Sequence, residues 1–487
     1  MKENSPDTNP DAIKASRAIL SLPERFYDRV QAAKFPQHIL RFRNDKAAQY
    51  VGLKDLSDDD WIAHFGRFEP LPNNLLAPLA LRYHGHQFRS YNPHLGDGRG
   101  FLFAQFYNAS TEQLLDLGTK GTGQTPWSRS GDGRLTLKGA VRELLAAELL
   151  EARGVPTCRI FSIVETGEAL QRHDEPSPTR AAAMVRLSHS HIRFGMFQRL
   201  AYHEDHEGVL ILARYCAKHF YSQLQSLDDR ELLEGLLTCA ADRMATTCAG
   251  WMAAGYVHGV LNTDNMNITG ESFDYGPWRF LPYVDQMFTA AYFDHGRLYA
   301  YARQPGAVLW NLARLAECFL PWITTERASA ILDRFTPICL DRWAQHLLLL
   351  LGVQSQSAEQ DEHTLTTTLQ YLENRRVPYD QFLFDWHGGT AARERAMQSP
   401  NAHLYDGEDF DAFWDAIQAH PPLKTSVIDD EYFQEGIAAS CHIDIVEALW
   451  DAIDQRDDWA PLYQHVLRLR KSTLRQPPSW RKDHETI

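Results

Sequence analysis

Near residue 196 the periodicity of this chain changes, and that change narrows the folds open to it more than any other feature. From about 76 to 195 the apolar residues come in short runs punctuated by glycine, the pattern of strands and turns. The runs 101–107 and 113–120 can pair as neighbours across a turn at 108–112, and further strands are expected at 158–164 and 182–187. One helix interrupts them at 136–153, where Leu137, Val141, Leu144, Leu145 and Glu148 keep a helical spacing. Gly154 stands where a helix-ending glycine belongs, and Pro156 prevents continuation. Beyond 196 the pattern turns to long helices at 209–225, 230–254 and 307–320. A polar island rich in Asn, Asp, Thr and Gly, 258–286, lies between the last two. An α+β chain is expected, with a strand-rich lobe followed by a helical one.

The flanks are less informative. Residues 1–75 read as a leader region: a short helix around 12–21, then aromatic-rich irregular sequence ending in the turn-prone Pro70-Leu-Pro-Asn-Asn74. From about 326 to 487 the chain reads as a helical extension, and the charged tail after Arg468 is expected to be loosely ordered. The chain has 487 residues, 44% hydrophobic and 23% charged, a globular composition. Its net charge of −14 argues against a nucleic-acid partner. The longest aliphatic run, 347–351, falls far short of the roughly 20 residues a membrane span needs. The polar N-terminus lacks the basic and apolar regions of a signal peptide, so a cytoplasmic location is expected. Seven cysteines without a Cys-x-x-Cys pair suggest reduced, buried thiols.

Several short motifs can carry chemistry. Gly-Asp-Gly-Arg occurs twice, at Gly96 to Arg99 and Gly131 to Arg134. Glycines let backbone N–H groups converge on an anion, and each arginine can fork onto phosphate oxygens; the same sequence also makes turns that need positive φ. Lys120 closes the second strand of the pair, and Glu143 follows 23 residues later in the helix. Protein kinases hold phosphates with such a strand lysine steadied by a helix glutamate. His258-Gly-Val-Leu-Asn-Thr-Asp264-Asn265 precedes Asp274-Tyr-Gly276. One acid there can orient or deprotonate a nucleophile, while the amide oxygen and second acid suit Mg²⁺. Arg186 and Arg193 bracket a polar turn and can reach a phosphate or pair with surface acids. The pairs His84/His86 and His189/His191 lack a third ligand at metal spacing, which favours packing roles.

Together these motifs fit a protein-kinase-like two-lobed fold, with a nucleotide-binding N-lobe at 76–195, a helical C-lobe at 196–325 and the C-terminal extension. Five of them go further. Tyr83-His-Gly-His-Gln-Phe88, Leu95-Gly-Asp-Gly-Arg-Gly100, the run from Lys120 to Arg134, Ser190-His-Ile-Arg-Phe-Gly195 and the run from His258 to Met266 together resemble the selenoprotein O family. The resemblance covers roughly 75–325. It implies a pseudokinase-like protein adenylyltransferase that binds ATP reversed and transfers AMP to Ser, Thr or Tyr hydroxyls of proteins. It further implies that Gly96, Gly98, Arg99, Asp132 and Gly133 line the nucleotide pocket. Lys120, steadied by Glu143, would bind phosphates, with Arg186 and Arg193 on further phosphate oxygens. Asp264 would be the proton acceptor, and Asn265 and Asp274 the ligands of Mg²⁺ or Mn²⁺. The family often carries a redox-active Cys or selenocysteine near the C-terminus. Here the last cysteine is Cys441, so a thiol link from the tail is not expected. Transfer of UMP from UTP, a conventional kinase passing the γ-phosphate, and a non-catalytic nucleotide-binding scaffold are the competing readings.

Overall fold

The computed structural model describes residues 14–173, 175–424 and 430–473. In chain order the strands are β1 (Ala15–Ser16), β2 (Tyr27–Arg29), β3 (Ile39–Arg43), β4 (Leu79–Leu81), β5 (Gly85–Gln87), β6 (Ser90–Asn92), β7 (Leu102–Tyr107), β8 (Leu114–Lys120), β9 (Leu135–Thr136), β10 (Arg159–Leu170), β11 (Thr179–Ser188), β12 (Tyr256–Val257) and β13 (Arg279–Phe280). The helices up to the middle of the chain are α1 (Asp45–Tyr50), α2 (Asp58–Phe65), α3 (Leu137–Ala152), α4 (Phe194–Tyr202), α5 (His206–Phe220), α6 (Asp229–Ala253) and α7 (Gln304–Glu317). They are followed by α8 (Thr325–Leu332), α9 (Phe335–Leu350), α10 (Ala358–Arg375), α11 (Tyr379–Asp385), α12 (Arg393–Gln398), α13 (Glu408–Ile417), α14 (Glu431–Gln434), α15 (Ile443–Arg456) and α16 (Ala460–Lys471).

The main sheet is antiparallel, in the order β2-β4-β7-β8-β11-β10-β3, with β1 added on β7 and β9 on β11. The fold is therefore mixed α+β, one large antiparallel sheet with many helices. The expected hairpin of 101–107 and 113–120 is present as β7 and β8. Strand β8 is buried along its whole length, as a central strand covered on both faces must be. Alternation along β11 sorts its residues between two cores. Ala182 and Met184 face the core built on α3, while Ala183, Val185 and Leu187 join Trp61, Phe65 and Phe161 on the other side. Arg186 occupies the α3-facing row, where an apolar side chain would contribute roughly 1.5–3 kcal/mol of burial. A charge in that row needs partners of its own.

Helix α3 begins at an N-cap, Thr136, whose side chain accepts from the Gly139 amide at 3.1 Å. It ends before Gly154, which takes φ +75°. This placement sets Glu143 against the end of β8. Helices α5, α6 and α7 follow the expected spans to within a few residues. No helix among the described residues is long and apolar enough to cross a membrane.

Two expectations for the flanks change. The stretch read as irregular before residue 75 supplies β2 and β3 to the main sheet, and α1 and α2 beside it. Where a helix around 12–21 is expected, Ala15–Ser16 pairs with β7 and Ala18–Ser21 forms a single 3₁₀ turn; residues 12 and 13 lie outside the described residues. Ile19 is fully buried and its amide donates to Gln105 Oε1 at 2.7 Å, so a tertiary partner overrides weak local propensity. At the other end, helical order continues past Arg468 to Lys471. Arg470 donates to both carboxylate oxygens of Glu148 on α3, at 2.6 and 2.8 Å. The tail from 474 onward lies outside the described residues.

Candidate active site

Five charged side chains from five parts of the chain meet at the end of β8. Lys120 Nζ forms a short ion pair with Glu143 on α3 and lies 3.2 Å from Asp274 Oδ1. Arg186, from β11, donates through Nη1 to the same Asp274 oxygen at 2.6 Å. Arg193, the residue before α4, donates to Asp274 Oδ2 at 2.6 Å and to the Asp264 carbonyl at 2.7 Å. The register explains the convergence. Arg186 stands opposite Gly118, two residues from Lys120, so both cations leave the same face of the sheet. Below the arginines lies the Phe273 ring, its centroid 4.7 Å from the Arg193 guanidinium carbon and 5.8 Å from that of Arg186. Such stacking suits a weakly hydrated planar cation.

Asp274 itself takes φ +58°, an uncommon conformation for a residue with a Cβ. Burial alone would raise its pKa, but Arg186, Lys120 and Arg193 outweigh that and hold the carboxyl well below the ordinary range. It stays ionised at any physiological pH. Asp264 behaves in the opposite way. Burial lifts its pKa to about 6 despite the opposing charge of Arg193, and its Oδ1 is buried with no hydrogen-bond partner. Two carboxylates pushed apart in this way divide into a fixed charge and a group that can exchange a proton.

The loop that carries Asp264 is fastened from both sides. His258 hydrogen-bonds through Nε2 to the Phe273 carbonyl at 3.2 Å, and its own amide donates to Gln304 Oε1 at 2.9 Å. Burial lowers the His258 pKa to about 4, so the ring is neutral. Asn265 donates through Nδ2 to the Val260 carbonyl at 2.9 Å, which turns its Oδ1 the other way. Asp274, Asn265 and Asp264 thereby offer hard oxygen donors, the class that Mg²⁺ or Mn²⁺ prefers. No cluster of three or more His, Cys, Asp or Glu that could hold a metal ion is found among the described residues.

The two Gly-Asp-Gly-Arg segments lie beside this cluster and clasp the loop after β8. In the first, a Cβ on Gly96 would sit 2.4 Å from the Trp127 indole, so the glycine permits that contact. Thr125 Oγ1 donates to the Asp97 carbonyl at 2.6 Å, and Ser128 Oγ donates to that of Gly98. Arg99 is exposed, and its carbonyl accepts from the Gly121 amide at 2.7 Å. In the second, Gly133 takes φ +70° with its backbone against Gly123. Asp132 is exposed and accepts from Arg172 at 2.8 Å and from the Arg134 amide at 2.9 Å. Arg134 is engaged by Glu168 at 2.9 Å, which takes it away from the phosphate role its motif suggests.

A family profile described as protein adenylyltransferase SelO matches residues 12–470. The chain belongs to the SelO family. Among curated SelO-family relatives, a protein nucleotidyltransferase YdiU of Synechocystis sp. is 41% identical over 468 residues, 93% of this chain and 97% of that protein. One of Trichodesmium erythraeum is 40% identical over 460 residues, 92% and 96% of the two chains. A third, of Pseudomonas aeruginosa, is 36% identical over 341 residues, 70% and 68%.

Within this SelO-family chain the structure brings together Lys120, Glu143, Arg186, Arg193, Asp264 and Asp274, with Asn265 alongside. Gly96, Gly98, Arg99, Asp132 and Gly133 stand in the two clasping loops, and the polar contacts described for Asp132 run to Arg172 and Arg134. Sequence reading passed over Asp97. It is buried inside the first glycine motif, accepts from the Leu81 amide at 3.0 Å and meets His191 Nε2 at 3.1 Å. A charged residue between two glycines is the available signal, whereas the motif's glycines and arginine carry the anion-binding reading. Tyr83, whose ring centroid lies 5.0 Å from the Arg193 guanidinium, was likewise unassigned. The histidine pairs take packing partners: His84 meets the Tyr91 hydroxyl, His86 the Gln198 amide, and His189 meets Glu271 at 2.5 Å.

Proposed function

We propose that this SelO-family protein nucleotidyltransferase moves AMP from ATP onto a Ser, Thr or Tyr hydroxyl of a protein, releasing pyrophosphate. The observation that carries the reading is the opposed pair, Asp264 with a raised pKa beside Asp274 ringed by three cations. Asp264 accepts the proton of the acceptor hydroxyl. The acceptor oxygen then bonds to the α-phosphorus, and the bond from that phosphorus to the β-phosphate bridging oxygen breaks with its electron pair leaving on pyrophosphate. Lys120, Arg186 and Arg193 neutralise the charge gathered on the phosphates. Pyrophosphate is a more highly charged leaving group than a kinase must manage, which suits a basic set larger than one lysine. Asp274 and Asn265 would hold a divalent cation, Mg²⁺ or Mn²⁺, whose contribution is to polarise phosphate oxygens. In the same reading, 76–195 acts as a nucleotide-binding N-lobe and 196–325 as a helical C-lobe of a kinase-like pair. The described residues of the leader, 14–75, and of the extension, 326–424 and 430–473, brace them.

The test is incubation with α-labelled or γ-labelled ATP and Mg²⁺ or Mn²⁺. Label on protein from α-labelled ATP alone, with pyrophosphate released, is the expected result. Label from γ-labelled ATP alone would overturn AMP transfer in favour of a phosphoryl-transfer kinase.

A further inference from the structure

Strands β5 and β6 pair with Gly85 opposite Asn92, His86 opposite Tyr91 and Gln87 opposite Ser90. The connection is therefore two residues long, Phe88 and Arg89, with φ +49° and +65°. Two-residue hairpins with positive φ at both positions favour Asn-Gly, because a Cβ is crowded there. Phe-Arg is a costly choice in that turn, and strained backbone of this kind persists where its surroundings hold it and tends to mark working parts. The surroundings here are the loop that carries Asp264. The Phe88 amide donates to Asn262 Oδ1 at 3.0 Å, and the His86 amide to Thr263 Oγ1 at 2.7 Å. The Tyr299 hydroxyl donates to the same Asn262 oxygen at 2.9 Å, and its ring centroid is 5.1 Å from that of Phe88.

Although tied down so firmly, the tip is open to solvent. Phe88 is 39% exposed; Phe293, 5.9 Å away between ring centroids, is 43% exposed, and Tyr292 beyond it 77%. A contiguous exposed aromatic shelf is a mark of an interaction site. Along the segments that carry it, 88–89 and 292–303, the exposed charges are all cationic. Arg89 and Arg297 are exposed, and Arg303 is exposed with its guanidinium fixed 3.0 Å from the Gly296 and Arg297 carbonyls. The acid of this stretch, Asp294, is buried and accepts from the Leu298 and Tyr299 amides at 2.8 Å. On a chain of net charge −14, this shelf is a cationic, aromatic surface one residue away from the catalytic loop's Thr263-Asp264 step.

We propose that the Phe88–Arg89 tip, with Tyr292 and Phe293, docks the acceptor protein's hydroxyl-bearing segment by taking an apolar side chain and an acidic one flanking the modified residue. The inference rests on the nucleotidyl-transfer reading, since the acceptor hydroxyl must reach Asp264 and its chain must leave over adjoining surface. Charge selects the occupant: an acidic segment complements Arg89, Arg297 and Arg303, and an aromatic or aliphatic residue covers the rings.

The experiment uses the full chain, α-labelled ATP and a degenerate serine-centred peptide library with one flanking position fixed at a time. Wild type is expected to prefer aromatic or aliphatic and Asp or Glu flanks by about tenfold, the discrimination expected of one good aromatic contact. Phe88→Asn suits the left-handed turn and so keeps the hairpin; it is expected to erase the apolar preference. Arg89→Glu is expected to turn the acidic preference into a basic one, which a merely structural role for the tip would not do. An ATP-induced rise in Tm in each variant shows that the pocket is folded. Peptides labelled without flank preference, or with preferences unchanged by both substitutions, would overturn the docking role. Absence of α-label on any peptide or on the protein itself would remove the transfer reading first, and the docking role with it.

Discussion

Asp264 and Asp274 are ten residues apart and titrate in opposite directions because one is buried short of partners while the other is surrounded by cations. The difference gives each a distinct mutational signature. Transfer by the wild-type protein should rise with pH to a plateau with a midpoint near 6, the value to which burial lifts Asp264, because only the carboxylate can accept the acceptor's proton. The stability effect has the opposite sign. Between its ordinary value of 3.8 and about 6, the folded chain keeps a proton that the unfolded chain releases, so this group's contribution to stability falls as pH rises through that window. Asp264→Asn should therefore lower the transfer rate by about 10²–10⁴-fold and stabilise the protein at pH 7 by about 1–2 kcal/mol, read by denaturant unfolding at pH 4 and pH 7. A variant less stable than wild type at pH 7 would contradict that assignment. Asp274→Ala should do the reverse to stability. It leaves Arg186 and Arg193 short of counter-charge beside Phe273, a loss of about 3–5 kcal/mol for a broken buried pair, together with loss of activity.

At the scale of elements, the site depends on how β8, the following loop and α3 are held relative to one another. The register of β8 on β11 delivers Lys120 and Arg186 to one face, and the Thr136 cap fixes where α3 begins and so where Glu143 falls. The loop between them is clasped by the two glycine motifs, most tightly at Gly133, where a Cβ would lie 2.2 Å from the Gly123 carbonyl group at φ +70°. Gly133→Ala should cost about 1–3 kcal/mol through strain at a left-handed position and should weaken ATP binding more than its effect on Tm explains, measured by titration calorimetry at a temperature where the variant is folded. An unchanged ATP affinity would separate this loop from nucleotide binding. Much at this scale was legible beforehand. The β7–β8 pair, the Lys120 to Glu143 spacing and the stop at Gly154 all follow from patterns a few residues long. The fate of Arg134 was not legible, because its partner Glu168 lies on β10, and nothing local in the glycine motif announces that pairing.

Across the whole molecule, both ends of the described chain brace the centre. Strands β1 to β3 extend the main sheet, and the last two helices reach back to it: Arg180 of β11 donates to the Ile453 carbonyl and to Asp457, and Arg470 clasps Glu148 on α3. Leu462, Val466 and Leu469 are buried in the same core as α3. At about 1.5–3 kcal/mol each, those three side chains approach the 5–15 kcal/mol net stability typical of a folded protein. A chain ended at residue 442 should therefore lose cooperative unfolding and the ATP-induced rise in Tm together, as read by calorimetry. A truncated chain that melts cooperatively and still binds ATP would show the extension to be dispensable. The sequence by itself determined the strand-to-helix progression, the hairpin that ends in Lys120, the helix that carries Glu143 and the loop that holds Asp264, Asn265 and Asp274. Each of these rests on hydrogen bonding, capping and hydrophobic period acting over a few neighbouring residues. Only the tertiary structure decided that Asp274 is met by Arg186 and Arg193, that Asp97 is buried against His191, that Gly96 packs on Trp127 and that the residues before 75 join the sheet. Burial and charge pairing are settled by which side chains meet across long stretches of chain, and adjacent sequence does not encode those meetings locally.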